Sequence, residues 1–317
     1  MKNNMKMSMK METRQKQLMS TRIYVVAGAT TVIGLTMALT MFFNFSENRE
    51  ARAEGSGFEI VDALVADGDF RSIGSGQWND AAIWEKYDGA SWGPAMDYPT
   101  STEGMITIMP GHEVVMSSDE IIDELNIGGA LTLNSNRIML LDGDINVSGT
   151  LRVNGRLMCG TNIISGTGSF ALGAGSTMLI GSPKGITTNG RYGNVQTAMR
   201  AFSNNANYVY CGTEPQVTGN GLPADELNGT LTLDNDKGCS LTNSVTINNQ
   251  LLLKDGILCL NGNTLTVNTD RVVSRAGGTL DLCGGNIAGD NFIKDGNSMS
   301  MDQFINSLAA ENIEAKR

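Results

Sequence analysis

The chain has 317 residues, enough for one large domain or two small ones, and its 41% hydrophobic against 18% charged content excludes disorder along most of its length. Its 38 glycines follow no three-residue period, which excludes collagen and points to many tight turns. With 33 acidic against 23 basic residues the chain offers no basic stripe for nucleic acid, and a single histidine restricts acid–base and metal chemistry.

Residues 1–22 carry Lys2, Lys6, Lys10, Arg14, Lys16 and Arg22 against Glu12, and the apolar run Ile23 to Phe45 follows. That is the order of a secretory signal. As a helix the run is about 34 Å long, so it also suffices for an uncleaved membrane anchor. Gly28, Gly34 and four threonines dilute it, and Ala51-Arg52-Ala53 supplies the small-x-small pattern that a signal peptidase accepts. Met19-Ser20-Thr21-Arg22 also makes an ordinary signal start. Residues 1–53 are therefore read as a signal peptide cleaved after Ala53, with a retained anchor as the alternative. The implied destination is secreted or cell-surface, and the only membrane contact expected is through residues 23–45. Removing residues 1–53 leaves 15 basic and 30 acidic residues, so the mature chain is strongly acidic and soluble rather than drawn to anionic lipid.

Residues 54–100 hold all three tryptophans, Trp78, Trp84 and Trp92, in a segment rich in turns. They are expected to form an N-terminal cap whose aromatics pack over the first coil, a sugar-stacking platform being the functional alternative.

Over residues 101–290 short alternating apolar triplets recur: Ile106/Ile108, Val114/Met116, Leu125/Ile127, Leu131/Leu133, Ile138/Leu140, Ile145/Val147, Leu151/Val153, Leu157/Cys159 and, after a break, Leu231/Leu233, Val245/Ile247, Leu251/Leu253, Leu265/Val267 and Leu280/Leu282. Each reads as a strand of minimal length with its ends inward and its middle residue outward. Gly, Asn, Asp and Ser separate them, as in Gly128-Gly129, Asp142-Gly143-Asp144 and Asn154-Gly155. Taking every third strand exposes a longer period. Leu125 to Ile145, Leu131 to Leu151 and Val245 to Leu265 are each 20 residues apart, and Leu251 to Val272 is 21. Three short strands per 20-residue turn describe an all-β parallel solenoid, whereas barrels and sandwiches need longer strands. Ordering 20 residues costs roughly 20 to 40 kcal/mol of backbone entropy, while six or seven inward aliphatics return about 10 to 20. One coil alone is unstable, and stacking supplies the difference. Eight or nine coils would make a core roughly 40 Å long.

The segment 187–224 interrupts the pattern with Tyr192, Phe202, Tyr208 and Tyr210, and with Arg191 and Arg200. It reads as a lateral elaboration where a binding surface would sit, with packing of Tyr208 and Tyr210 on one strand face as the alternative. Residues 291–317 are expected to cap the last coil, Ser300-Met301-Asp302-Gln303 opening a helix through Phe304, Ile305 and Leu308.

Little in the sequence carries chemistry. His112 in Pro110-Gly111-His112-Glu113 reads as a turn residue. Asp142-Gly143-Asp144 and Asp234-Asn235-Asp236-Lys237-Gly238 are fragments of a calcium loop without its later glutamate, so calcium is unsupported and Asx turns are expected. Five cysteines cannot all pair within one chain. Cys159, Cys259 and Cys283 are read as buried thiols beside apolar triplets, and Cys211 and Cys239 as a pair able to oxidise. No nucleotide loop, zinc spacing or nucleophile elbow appears, so no cofactor and no catalytic residue are assigned.

Several phrases resemble a known family. Gly74-Ser75-Gly76-Gln77-Trp78-Asn79-Asp80, Ile83-Trp84-Glu85 and Ile106 to Met116 look like the opening of repeat modules in large surface proteins exported by the bacterial type IX system. Asn207-Tyr208-Val209-Tyr210, Gln216 to Pro223, Leu231-Thr232-Leu233 and Leu251-Leu252-Leu253 resemble recurrent phrases of the same proteins. The first part, with Gly149-Thr150-Leu151, is also similar to the secreted eight-glycine domain. The resemblance covers most of residues 70–270 and implies a right-handed parallel β-helix at the cell surface. It departs from the family in lacking a β-rich C-terminal sorting domain, which leaves the export route open. The expected function is a structural or adhesive module that recognises carbohydrate or another cell-envelope component. Trp78, Trp84, Trp92, Tyr192, Arg200, Tyr208 and Tyr210 are its candidate ligand-binding residues. A polysaccharide-active enzyme on a β-helix and a filament or coat subunit are the alternatives.

Overall fold

The computed structural model describes residues 65–268, 272–274, 278–289, 292–294, 297–299, 303 and 306. The expected export segment 1–53 lies outside them, as does the C-terminal helix apart from Gln303 and Asn306. The chain is an all-β solenoid of about nine turns, in a unit that begins at Ala66. Among the described residues no helix is long and apolar enough to cross a membrane.

Most triplets form strands of three or four residues, their first and last apolar side chains buried and the middle one at the surface, as at Ile106–Ile108 and Leu125–Ile127, while Leu251/Leu253 lies in the ten-residue strand Gln250–Cys259. Successive coils pair in parallel, and all four spacings read from the sequence are ladder partners: Leu125 with Ile145, Leu131 with Leu151, Val245 with Leu265 and Leu251 with Val272. Inward side chains thereby stack in continuous columns. One runs Phe70, Ile106, Leu125, Ile145, Ile164, Val195, and another Val114, Leu131, Leu151, Phe170. A third runs Met139, Leu157, Met178, Tyr208, Leu231, Leu251. The named members of these columns are buried, which is how coils that cannot fold singly stabilise one another.

Turns are held by stacking as tightly as strands. A Cβ on Gly149 would be driven into the carbonyl oxygen of Gly129, so this corner admits only glycine at that rung. Further along, Asn248 donates its amide to Asn228 at 2.9 Å and Asn268 donates to Asn248 at 3.1 Å, an asparagine ladder built on the 20-residue period.

The first edge is closed by a change of strand direction. Phe70–Ser72 pairs in parallel with Ile106–Ile108 on one side and antiparallel with Trp84–Tyr87 on the other, which pairs in turn with Trp92–Pro94. A short antiparallel meander thus covers the edge that an open solenoid exposes. Near the other end Phe292–Lys294 and Asn297–Met299 form an antiparallel pair.

Segment 187–224 is built into the solenoid to a larger extent than a lateral excursion would be. Val195–Phe202, Asn207–Tyr210 and Gln216–Val217 are all in parallel register with neighbouring coils. The segment is a joint: the first sheet ends at Val195–Phe202, the sheet containing Tyr208 runs through, and a ladder of Gln216, Cys239, Leu258 and Leu280 begins. The repeat is masked in the sequence because the register partner of Phe170 is Arg200, which turns to the 187–193 loop, and because tyrosines replace aliphatics.

The second sheet departs from simple alternation, and the expected inward pair Ile138/Leu140 is one residue out of phase: Met139 and Leu141 are the inward side chains, Met139 standing opposite Leu157 and Leu140 opposite Met158. Its outward row, Leu140, Met158, Leu179, Val209, Thr232, Leu252, is largely apolar, and Leu140, Met158 and Leu179 are 4%, 1% and 6% exposed. Strands buried on both faces show continuous apolar runs, as in Ile138 to Leu141 and Met178 to Ile180.

The cysteine pairing also differs from expectation. The disulfide joins Cys259 to Cys283, with Cα atoms 5.6 Å apart, while Cys159, Cys211 and Cys239 are free thiols. Register explains this. Cys259 lies opposite Asp281, so Cys283 falls one turn away from it. Tyr210 lies opposite Leu233, which brings Cys211 alongside Asp234 rather than Cys239. Burial pushes the Cys211 and Cys239 thiols up to about 12, so both stay protonated and inert at neutral pH.

Candidate functional site

The middle residues of the triplets, which the core does not need, assemble into the clearest surface feature. On the first sheet the register places Arg71, Thr107, Asn126, Asn146, Ser165 and Gln196 in one outward row. Parallel strands repeat at about 4.8 Å, so six rungs span about 24 Å. None of these side chains is buried. The row is flat and polar, and it offers amide and hydroxyl groups at a regular interval.

An aromatic group stands at each end. At the first, Trp92 is half-buried, with the Arg71 guanidinium 4.3 Å from its ring centroid and the Tyr87 ring 5.4 Å away. Arg71 is fixed there by Glu85, which accepts from its Nε at 2.9 Å and from its second terminal nitrogen at 2.8 Å. At the far end Gln196 donates to the carbonyl of Gly193 at 3.1 Å, and the neighbouring Tyr192 is 65% exposed.

The other residues singled out from the sequence lie elsewhere. Trp78 and Trp84 are fully buried, packed edge to face at 5.2 Å, and their indole N–H groups donate to Pro99 and Trp78 carbonyls. Neither ring has a face open to a ligand, and both belong to the core cluster. Tyr208 and Tyr210 point inward, and their hydroxyls donate to the Ser203 and Thr218 carbonyls at 2.6 and 2.8 Å. Burial raises the pKa of both phenols. Arg200 ties the 187–193 loop to the solenoid. Its guanidinium donates to the carbonyls of Thr197, Thr187 and Gly190 and to the Thr187 hydroxyl, at 2.6 to 3.1 Å. Of the seven candidates, Tyr192 is exposed and Trp92 half-buried, and the row between them has no signature in the sequence.

His112 Nδ1 lies 2.8 Å from the Ser72 hydroxyl, whose oxygen already accepts from the Met109 N–H. The pair closes a turn onto the first strand. Asp144 accepts from the Ile163 N–H and Asp119 from the Ile138 N–H, each on the next coil, while Asp236 pairs with Lys237. Asp144 and Asp119 thus act as backbone caps. Among the described residues no group of three His, Cys, Asp or Glu side chains is placed to hold a metal ion.

No protein-family model matches the chain, and no curated protein or solved structure matches it.

Proposed function

We propose that the protein is a secreted or cell-surface structural and adhesive module, a right-handed β-helix like the modules it resembles, that binds a carbohydrate chain along the outer row of its first sheet. The observation that carries this reading is the row itself: Thr107, Asn126, Asn146, Ser165 and Gln196 in line, with Trp92 at one end and Tyr192 beside the other. Amides and hydroxyls both donate and accept, which suits the hydroxyls of a sugar, and aromatic rings suit its apolar faces. An open strip about 24 Å long fits an extended polymer better than a small molecule, which favours a concave pocket. Glu85, the acid on this strip, is paired with Arg71, an arrangement that supports holding a glycan rather than cleaving it. Export by the type IX route belongs to the same reading and rests on the resemblance.

The test is binding of the purified full chain to a glycan array, with Trp92→Ala and Asn146→Ala beside it. A retained glycan whose signal drops at least tenfold in either variant is the expected result. Retention of none, or indifference of binding to both substitutions, would remove the outer row as the site.

A further inference from the structure

The corner between the first and second sheets opens into a groove of about 360 Å³ that crosses three coils. Asn136 and Arg137 line it on one coil, Asn154 and Arg156 on the next, and Thr177 on the third. The ladder Ile138, Arg156, Thr177 sets the coils in register. The Arg137 main chain is locked at the turn: its N–H donates to Asn134 and its carbonyl accepts from Arg156 at 2.7 Å. Asn136 holds the turn with φ of 60°.

The charge here runs against that of the molecule. Arg137 lines the groove and the exposed Arg152 stands on the same coil as Asn154, although the chain beyond residue 53 carries 15 basic and 30 acidic residues. Among the described residues carboxylates pair with Arg71, Lys86, Lys237 and Lys254, not with Arg137. Asp119, on the coil below, directs Oδ1 to the Ile138 N–H. The guanidinium of a half-buried arginine on a rigid turn, in a groove it shares with two amides and a hydroxyl, is suited to an oxyanion carried on a polyhydroxylated body.

We infer that this groove binds the oxyanion of an acidic glycan, a uronate carboxylate or a sulfate ester. The Arg137 guanidinium forks onto the oxyanion, and Asn136, Asn154 and Thr177 bond the sugar hydroxyls. The inference rests on the reading of the protein as a glycan-binding module but uses a different surface, so the two fail separately.

Isothermal titration of the full chain tests it, with tetragalacturonate, its neutral methyl ester, a sulfated galacto-oligosaccharide of equal length and inorganic sulfate as probes. We expect one or both acidic oligosaccharides to bind at least tenfold more tightly than the methyl ester and than inorganic sulfate. Arg137→Gln should abolish that tenfold preference. Arg137→Lys, which keeps the charge and loses the fork, should recover part of it, and Trp92→Ala should leave it intact. Circular dichroism identical to the parent chain shows that the variants are folded. Binding of tetragalacturonate alone, or of the sulfated sugar alone, identifies the source of the oxyanion and supports the site. The groove assignment is overturned if neither acidic probe binds, if the methyl ester or inorganic sulfate binds as tightly, or if Arg137→Gln leaves the preference unchanged. Loss of acidic binding in Trp92→Ala but not in Arg137→Gln would overturn it too, and assign the acid to the outer row.

Discussion

Adjacent residues on one strand provide a strict test of the solenoid. Leu151 is fully buried between Leu131 and Phe170 in an inward column, whereas Thr150 faces outward with its hydroxyl 3.0 Å from that of Ser169. Leu151→Ala removes the transfer energy of the lost carbons and leaves a cavity between stacked coils, about 2–5 kcal/mol. Leu151→Asp adds the cost of burying a carboxylate and takes the total past about 5 kcal/mol, comparable to the whole stability of many domains. Thr150→Asp gives up one surface hydroxyl contact, about 0.5–1 kcal/mol. It adds a charge two rungs from Glu113, about 10 Å away and close to one screening length. Soluble yield and urea denaturation followed by far-ultraviolet circular dichroism should therefore separate the variants. Leu151→Asp should fail to accumulate as folded protein, Leu151→Ala should lower the midpoint by about 1 M or more, and Thr150→Asp should stay near the parent. Met158→Asp is the internal control: Met158 faces outward by register yet is 1% exposed, so it should behave like Leu151. Equal tolerance of Leu151→Asp and Thr150→Asp would refute the register, and a harmless Met158→Asp would refute the two-faced burial of the second sheet.

Two further outcomes follow from local chemistry. Cys283→Ser opens a cross-link between residues 24 apart, worth about 3 kcal/mol in the loop-entropy account. In a stack with nearest-neighbour coupling, hydrogen exchange should quicken beyond Cys259 while Leu125–Ile127 and Leu157 remain protected; a uniform loss of protection would contradict that coupling. Glu120 occupies an inward position opposite Met139 and is 7% exposed. Burial raises its pKa, Asp119 adds to the rise and the Ser118 hydroxyl opposes it. A carboxyl raised in the folded state contributes stability that is fully present below its unfolded pKa and lost as pH climbs through the folded one. The stability of Glu120→Gln relative to the parent should therefore grow as pH rises above the ordinary glutamate range and then level off. A difference that shrinks with rising pH would reverse the assignment.

The core was legible because it depends on one variable, the spacing of apolar triplets, and Leu125, Leu131, Val245 and Leu251 all find their partners at the spacing read from the chain. What escaped the sequence depends on two coils at once. Ile138/Leu140 reads as an inward pair until the ladder sets Met139 opposite Leu157, and Leu140 and Met158 then fall in an outward row that is buried as well. Cys259 and Cys283 sit in different repeats and meet only after stacking. Arg200 looks like a surface cation, but it occupies the position above Phe170 and its donors are used on the 187–193 loop. Trp78 and Trp84 carried the strongest aromatic signal and are core, because an antiparallel cap needs large side chains to fill the end of the column.

The outer row shows why composition could not announce a site. Thr, Asn, Ser and Gln are unremarked at the middle of a triplet, where any polar residue satisfies the fold. Their meaning arises when register converts intervals of 19 to 36 residues into neighbours about 4.8 Å apart, so that Arg71 and Gln196, distant in sequence, bound one strip. Core and surface are then read from the same ladder but answer to different constraints. Inward positions must be apolar at every rung or the stack parts. Outward positions are nearly free, and so can be set by whatever the strip contacts. The turns absorb unequal repeats, since the row stays aligned across 19 residues from Thr107 to Asn126, 20 from Asn126 to Asn146 and 31 from Ser165 to Gln196. A one-residue insertion inside the Leu125–Ile127 strand is different: it would turn the residues beyond it to the opposite face and break the alignment of Asn126 with Asn146. On this fold recognition is a property of alignment between coils, which is why the strip from Trp92 to Tyr192 appears only after the coils are stacked.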